Sequence, residues 1–75
     1  MERWKGLLVK DLKNVETGYK ETGKDVSKIE LVLEELPKLA KQELIDLLSA
    51  AELRFFAHKV MAGDYEKLAK MQEQK

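Results

Sequence analysis

Residues 36–62 form the only stretch of this chain with the apolar density of a protein core. Its sequence, LPKLAKQELIDLLSAAELRFFAHKVMA, places apolar residues three and four positions apart, with few β-branched residues and no glycine. Such spacing is typical of an α-helix rather than of a β-strand. The stretch therefore predicts the centre of an all-α fold.

The length of the chain limits what this core can be. A chain of 75 residues forms one domain at most, close to the lower limit for independent folding. It has no cysteine, so disulfides cannot stabilise it, and regular helix packing or burial against a partner is needed. We expect one helical domain over residues 1–75, a small bundle of three to five short helices, completed by self-association. Its parts are an amphipathic helix and loop at 1–24, the apolar core at 25–62 and a C-terminal helix at 63–75.

The location of the protein is predicted from what the sequence does not contain. No unbroken apolar run follows Met1, so no secretory signal is visible. No segment approaches the roughly 20 apolar residues of a membrane span. The absence of cysteine suits a reducing compartment. We expect a cytoplasmic protein without a membrane partner.

The N-terminal region has the spacing of an amphipathic helix. Its large apolar residues recur every three or four positions: Trp4, Leu8, Leu12, Val15 and Tyr19. A hairpin turning near Gly18 and Gly23 is the alternative, although two strands alone are marginally stable. The helix is favoured, and Gly23 stands where a C-terminal cap belongs.

The middle of the chain contains one predicted break, at Pro37, and a second position where a break and a continuous helix are both open. After a helix over 27–36, capped by Asp25 or by a Ser27 capping box, Pro37 disfavours helix and should separate it from the next. On a helical wheel the apolar side then changes, and Ser49 begins a second sequence of capping-box form. The core helix therefore either breaks near Ser49 or continues with both sides buried, and both remain open.

The C-terminal region is predicted to start a new helix after a turn. Gly63 suits the end of one helix and Asp64 the beginning of another. The final helix covers residues 65–74, and we expect its tail from Gln72 to Lys75 to fray.

Residues that could carry catalysis or bind a metal lack suitable neighbours. His58 is the only histidine, with no carboxylate three or four positions away. Glu30 and Glu34 share a helical face, which a solvated surface explains more simply than acid–base catalysis does. Ser27 and Ser49 lack the context of a nucleophile, and no glycine-rich phosphate loop is present. We expect no enzyme activity, no cofactor and no metal.

The charges are balanced overall but unevenly distributed along the chain. Residues 1–28, 29–53 and 54–75 carry formal charges of +2, −4 and +2. This pattern suits an acidic middle that faces basic ends, within one chain or between two.

Nucleic-acid binding is the alternative function that the basic ends support. A dimeric DNA-binding protein would use cations of the two terminal helices: Arg3, Lys5, Lys10, Lys13, Lys67 and Lys70. Residues 55–74 have the outline of a helix-turn-helix, in which Tyr65 and Gln74 would also face the groove. Acidic residues interrupt both basic regions, so the basic excess is weak.

The favoured function is protein interaction. Phe55 and Phe56 are adjacent and cannot face the same way, so helix 50–62 is apolar around most of its circumference. Since a chain this short has difficulty surrounding such a helix, a second copy is the simplest supplier of cover, most commonly in a symmetric dimer. The predicted interface consists of Trp4, Leu53, Phe55, Phe56, Val60 and Met61. We therefore expect a non-catalytic regulatory or accessory factor that acts by self-association and by binding another protein.

Overall fold

Helices make up nearly all of the computed structural model, which describes residues 2–73. Within that range the elements are α1 (Arg3–Glu21), α2 (Ser27–Glu35), a 3₁₀ turn (Leu36–Lys38), α3 (Lys41–Ala50), α4 (Arg54–Ala62) and α5 (Asp64–Glu73). The described chain contains no strand. The predicted small all-α bundle of three to five short helices is confirmed.

Helix α1 carries its apolar stripe as predicted, and the hairpin alternative is wrong. Trp4, Leu8 and Leu12 are buried, while Val15 and Tyr19 pack against the core from half-buried positions. The helix ends at Glu21, and Gly23 follows with a φ of 75°, in the left-handed region that glycine adopts without strain. Lys24 N–H donates to Tyr19 O at 2.8 Å, as in a Schellman cap.

Asp25, one of the two predicted caps, lies just before the start of α2, where Val26 occupies the cap position itself. The Oδ1 of Asp25 accepts hydrogen bonds from the hydroxyl and the backbone N–H of Ser27. These two bonds hold the pKa of Asp25 below its ordinary value of 3.8. Ser27 is the first residue of the helix and donates to Asp25, so its predicted capping box is wrong.

The break at Pro37 is confirmed. A single 3₁₀ turn replaces the α-helix at Leu36–Lys38, and α3 begins four residues after the proline. Ala40 immediately precedes α3, and its backbone N–H donates to Glu43 Oε1 at 2.9 Å. The side chain of Glu43 thus satisfies a backbone donor at the start of the helix.

Of the two alternatives near Ser49, the break is correct and the continuous helix is wrong, although the break lies after Ser49 rather than at it. Ser49 is inside α3, and the turn is made by Glu52, whose φ of 63° is left-handed. The N–H of Leu53 donates to Leu48 O at 2.8 Å, and that of Glu52 donates to Ser49 O at 3.2 Å. This is a Schellman cap with glutamate at the position where glycine is usual. Ser49 therefore does not open a capping box.

Helices α4 and α5 are joined by a single residue, Gly63. Its φ of 77° reverses the chain with no strain from a Cβ atom. Helix α5 begins at Asp64, one residue before the predicted range. Of the tail expected to fray, residues 74 and 75 lie outside the described part of the chain.

One core unites the elements. Helix α1 packs between α2 and α5, α3 packs on α4, and α4 packs on α5. Every element contributes buried apolar side chains: Trp4, Leu8, Leu12, Ile29, Val32, Leu36, Leu44, Ile45, Leu48, Ala51, Leu53, Phe56, Ala57, Val60, Tyr65 and Ala69.

A buried lysine joins α1 to the segment before α3. The side chain of Lys5 is enclosed, and its Nζ donates to Leu39 O at 2.6 Å. The same Nζ lies 3.9 Å from a carboxylate oxygen of Glu2. A buried ammonium group needs such partners, because an unpaired charge in an apolar setting is strongly unfavourable.

Candidate protein-interaction surface

The structure separates the predicted interface residues into two groups. Trp4, Leu53, Phe56 and Val60 are buried in the chain's own core, whereas 66% of Phe55 and 59% of Met61 remain exposed. The expectation that helix 50–62 is apolar around most of its circumference is wrong, because the helix begins only at Arg54 and has a polar side. One copy of the chain therefore covers four of the six predicted interface residues by itself and leaves Phe55 and Met61 exposed.

A different surface emerges where α4 and α5 meet. We call it the α4–α5 face, and it consists of Phe55, Lys59, Met61, Lys67, Leu68, Lys70 and Met71. Leu68 and Met71 of α5 are 47% and 65% exposed. The inward positions of α5 are taken instead by Tyr65 and Ala69. The face thus displays four large apolar side chains to solvent.

Two shallow grooves are lined by three of these side chains, Met61, Leu68 and Met71. The first, of about 240 Å³, is lined by Lys41, Met61, Ala62, Gly63, Glu66, Lys67 and Lys70. The second, of about 340 Å³, is lined by Lys59, Asp64, Lys67, Leu68 and Met71. Lys67 borders both grooves, so they form one continuous surface on either side of it.

Two aromatic rings fix the position of Lys59 in this surface. Its Nζ lies 5.0 Å from the ring centroid of Phe55 and 5.4 Å from that of Tyr65. Attraction between an ammonium group and aromatic rings operates over this range. The exposed ring of Phe55 is also held edge-on against buried Phe56, with centroids 5.5 Å apart. The apolar surface is therefore partly preorganised.

The charge on the α4–α5 face is positive. Lys41 and Glu66 form an ion pair and offset each other. Among the described side chains that line the grooves, Lys59, Lys67 and Lys70 remain against one further carboxylate, Asp64. A partner surface that combines apolar and acidic groups would complement this face.

The cations of the DNA-binding alternative do not all reach the surface. Arg3, Lys10 and Lys13 are exposed on α1, and Lys67 and Lys70 are exposed on α5. Lys5 is buried with its ammonium bound to a carbonyl oxygen, so its predicted place in an exposed basic patch is wrong.

The predicted reading residues of α5 are also unsuitable for a DNA groove. Tyr65 is 1% exposed, and its hydroxyl donates to Asp11 Oδ2 at 2.8 Å. Gln74 lies outside the described residues. The helix-turn-helix interpretation of α5 loses the contact of Tyr65, because that side chain is part of the core.

The residues considered for catalysis do not line either groove of the α4–α5 face. Ser27 Oγ donates to the carboxylate of Asp25, and Ser49 and His58 are exposed. Glu30 and Glu34 lie exposed on α2. Within residues 2–73, no three His, Cys, Asp or Glu side chains are arranged to share a metal ion.

Comparisons with known proteins give no relative from which a function can be transferred. Family models, curated proteins and solved structures yield no match to this chain. Among the described helices, none combines the length and the apolar character required to cross a membrane. The function must therefore be argued from the surface itself.

Proposed function

We propose that this protein is a non-catalytic helical interaction module of the cytoplasm, which self-associates through its α4–α5 face and acts as a regulatory or accessory factor. The observation that carries the proposal is the grouping of exposed Phe55, Met61, Leu68 and Met71 on two helices joined by one glycine. Single exposed apolar residues are ordinary, whereas a connected group of large ones marks an interaction surface.

The size of the chain supports self-association. Folded 75-residue domains bury a smaller share of their surface than larger ones do, so covering a further apolar face adds appreciably to stability. Each Å² of apolar surface that association removes from water stabilises the associated form by about 25 cal/mol. Four large side chains at the centre of a contact thus provide a substantial driving force, and copies of the same chain are always present together.

Light scattering after gel filtration, at several loading concentrations, tests the proposal. The weight-average mass of the wild-type protein should rise above the 8.7 kDa of one chain as the concentration increases. A Leu68→Glu/Met71→Glu double variant should stay near the monomer mass, because it places charges in the contact. Asn14→Glu, on the exposed surface of α1, is the matched control and should behave as wild type. A wild-type mass of 8.7 kDa at every concentration would contradict the proposal.

Binding of DNA through the basic terminal helices stays the alternative. A gel shift with duplex DNA at two salt concentrations separates the two functions, because phosphate contacts weaken steeply with salt. A complex that forms at low salt and is weakened by Lys67→Glu/Lys70→Glu and by Lys10→Glu/Lys13→Glu would favour DNA binding. If Lys67→Glu/Lys70→Glu abolished DNA binding and Lys10→Glu/Lys13→Glu did not, the DNA site would lie on the α4–α5 face rather than on both terminal helices.

A further inference from the structure

The outer face of α2 carries the opposite charge to the α4–α5 face. Leu31 is 49% exposed at its centre, with Glu34 three positions and Glu35 four positions further along the helix. Glu30 is exposed beside them. The basic residue on this helix, Lys28, lies with its Nζ 3.4 Å from Glu52 Oε1, so its charge is already offset. The α2 face, defined as Glu30, Leu31, Glu34 and Glu35, is therefore acidic with one apolar side chain at its centre.

One chain does not bring these two faces together. Helix α1 lies between α2 and α5 and contacts both. Leu31 on one side and Phe55, Leu68 and Met71 on the other all remain exposed to solvent. The two surfaces therefore have complementary character but can meet only if they belong to different molecules.

Contact between two α4–α5 faces is disfavoured by their charge. A symmetric contact of this kind would place Lys59, Lys67 and Lys70 of one copy opposite the same three residues of another. Like charges across an interface are unfavourable, whereas lysines facing glutamates are attracted and steer the encounter. The acidic middle and basic ends of the sequence have the same complementarity, because the residues of the α2 face lie in the segment of charge −4 and the α4–α5 lysines in the C-terminal segment of charge +2.

We infer that the occupant of the α4–α5 face is the α2 face of a second copy of this chain. Leu31 enters the apolar surface between Met61, Leu68 and Met71, and the glutamates around it pair with Lys59, Lys67 and Lys70. This inference rests on the proposed self-association and specifies its geometry. Two such contacts made reciprocally close a two-fold dimer, and a single contact repeated from copy to copy produces larger oligomers.

Charge reversal on each face, followed by mixing, tests this arrangement. The acidic-face variant is Glu30→Lys/Glu34→Lys and the basic-face variant is Lys67→Glu/Lys70→Glu. Each alone should self-associate at least about tenfold more weakly than wild type, since like charges then oppose one another in every contact. An equimolar mixture of the two should associate again, because reversed faces complement each other and the unchanged faces still pair. A chain that carries all four substitutions should also recover self-association.

The outcomes distinguish this inference from the proposed function. If the wild type self-associates and neither reversal weakens it, or if mixing restores nothing, the α2 contact is wrong while self-association stands. If the wild type is monomeric at every concentration, both are wrong. Circular dichroism of each variant verifies the fold, and restored association in the mixture shows independently that both variants are folded.

Discussion

The phenol of Tyr65 on α5 donates a hydrogen bond to the carboxylate of Asp11 on α1, with 2.8 Å between Oη and Oδ2. The two residues are 54 positions apart in sequence, so this bond joins the first and last helices. Tyr65 is also among the largest fully buried side chains. Helix α5 is therefore docked by a core aromatic residue with a polar anchor, which leaves Leu68 and Met71 of the same helix on the outside.

Removing the phenol oxygen should weaken this docking. Tyr65→Phe keeps the ring but leaves Asp11 without its donor, and a hydrogen bond to a charged group contributes about 1.5–3 kcal/mol. Because Asp11 is half-buried and can recruit water, we expect a loss near the lower limit, about 1–2 kcal/mol in the free energy of unfolding. Urea denaturation followed by circular dichroism measures it. Tyr19→Phe is the matched control, and an equal loss there would contradict the anchoring role of Tyr65.

Tyr65 should also make stability depend on alkaline pH. Burial, aided by the bond to Asp11, raises the pKa of the phenol above its ordinary value of 10.0. The unfolded chain therefore releases this proton at a lower pH than the folded protein does. The stabilisation is fully present below pH 10.0 and is lost as the pH rises further, by up to about 1.4 kcal/mol per pH unit.

The comparison of wild type with Tyr65→Phe isolates this effect from the titration of the lysines. The difference in unfolding free energy between the two should be constant from pH 7 to about 9 and should shrink above about pH 10. A difference that is the same at pH 7 and pH 11 would mean that the phenol titrates alike in the folded and unfolded states.

Phe55 and Phe56 offer a comparison of core and surface with identical chemistry. Phe56 is 7% exposed, and its replacement by alanine should cost about 3–5 kcal/mol, much of the stability of a domain this small. Phe55→Ala removes an exposed ring and should cost under about 1 kcal/mol in dilute protein. Thermal unfolding at low concentration, where self-association is minimal, compares the two. Similar losses would show that Phe55 is covered within one chain.

Much of the backbone is predictable because the residues that end its helices act locally. Pro37 lacks the donor that a helix requires, and Gly23 and Gly63 adopt positive φ without strain, so their effects are readable without knowledge of the fold. The stripe on α1 is equally local. Helical periodicity thus identifies the fold class and most element boundaries.

The surface is less predictable, because exposure is decided by competition among side chains for a limited interior. On α5, Tyr65 and Ala69 fill the space against α1 and α4, so Leu68 and Met71 are left outside although their spacing suits a core. Lys5 shows the reverse case. Its charge suggested a solvent-exposed cation, but a carbonyl at Leu39, 34 positions away, provides a buried partner. Such distant partners are not visible in local patterns.

The turn between α3 and α4 has glutamate at a position with positive φ, where glycine is the usual residue. Glu52 adopts a φ of 63°, in the region where a side chain with Cβ costs about 1–2 kcal/mol. Glu52→Gly should relieve this strain, offset in part by the greater freedom of glycine in the unfolded chain and by the lost ion pair with Lys28. We expect a net gain of about 0.5–1 kcal/mol in unfolding free energy, measured as a higher urea midpoint. Glu52→Ala is the matched control, because it removes the same ion pair while retaining a Cβ atom, and it should give no gain. If alanine stabilised the protein as much as glycine, relief of backbone strain would not be the cause.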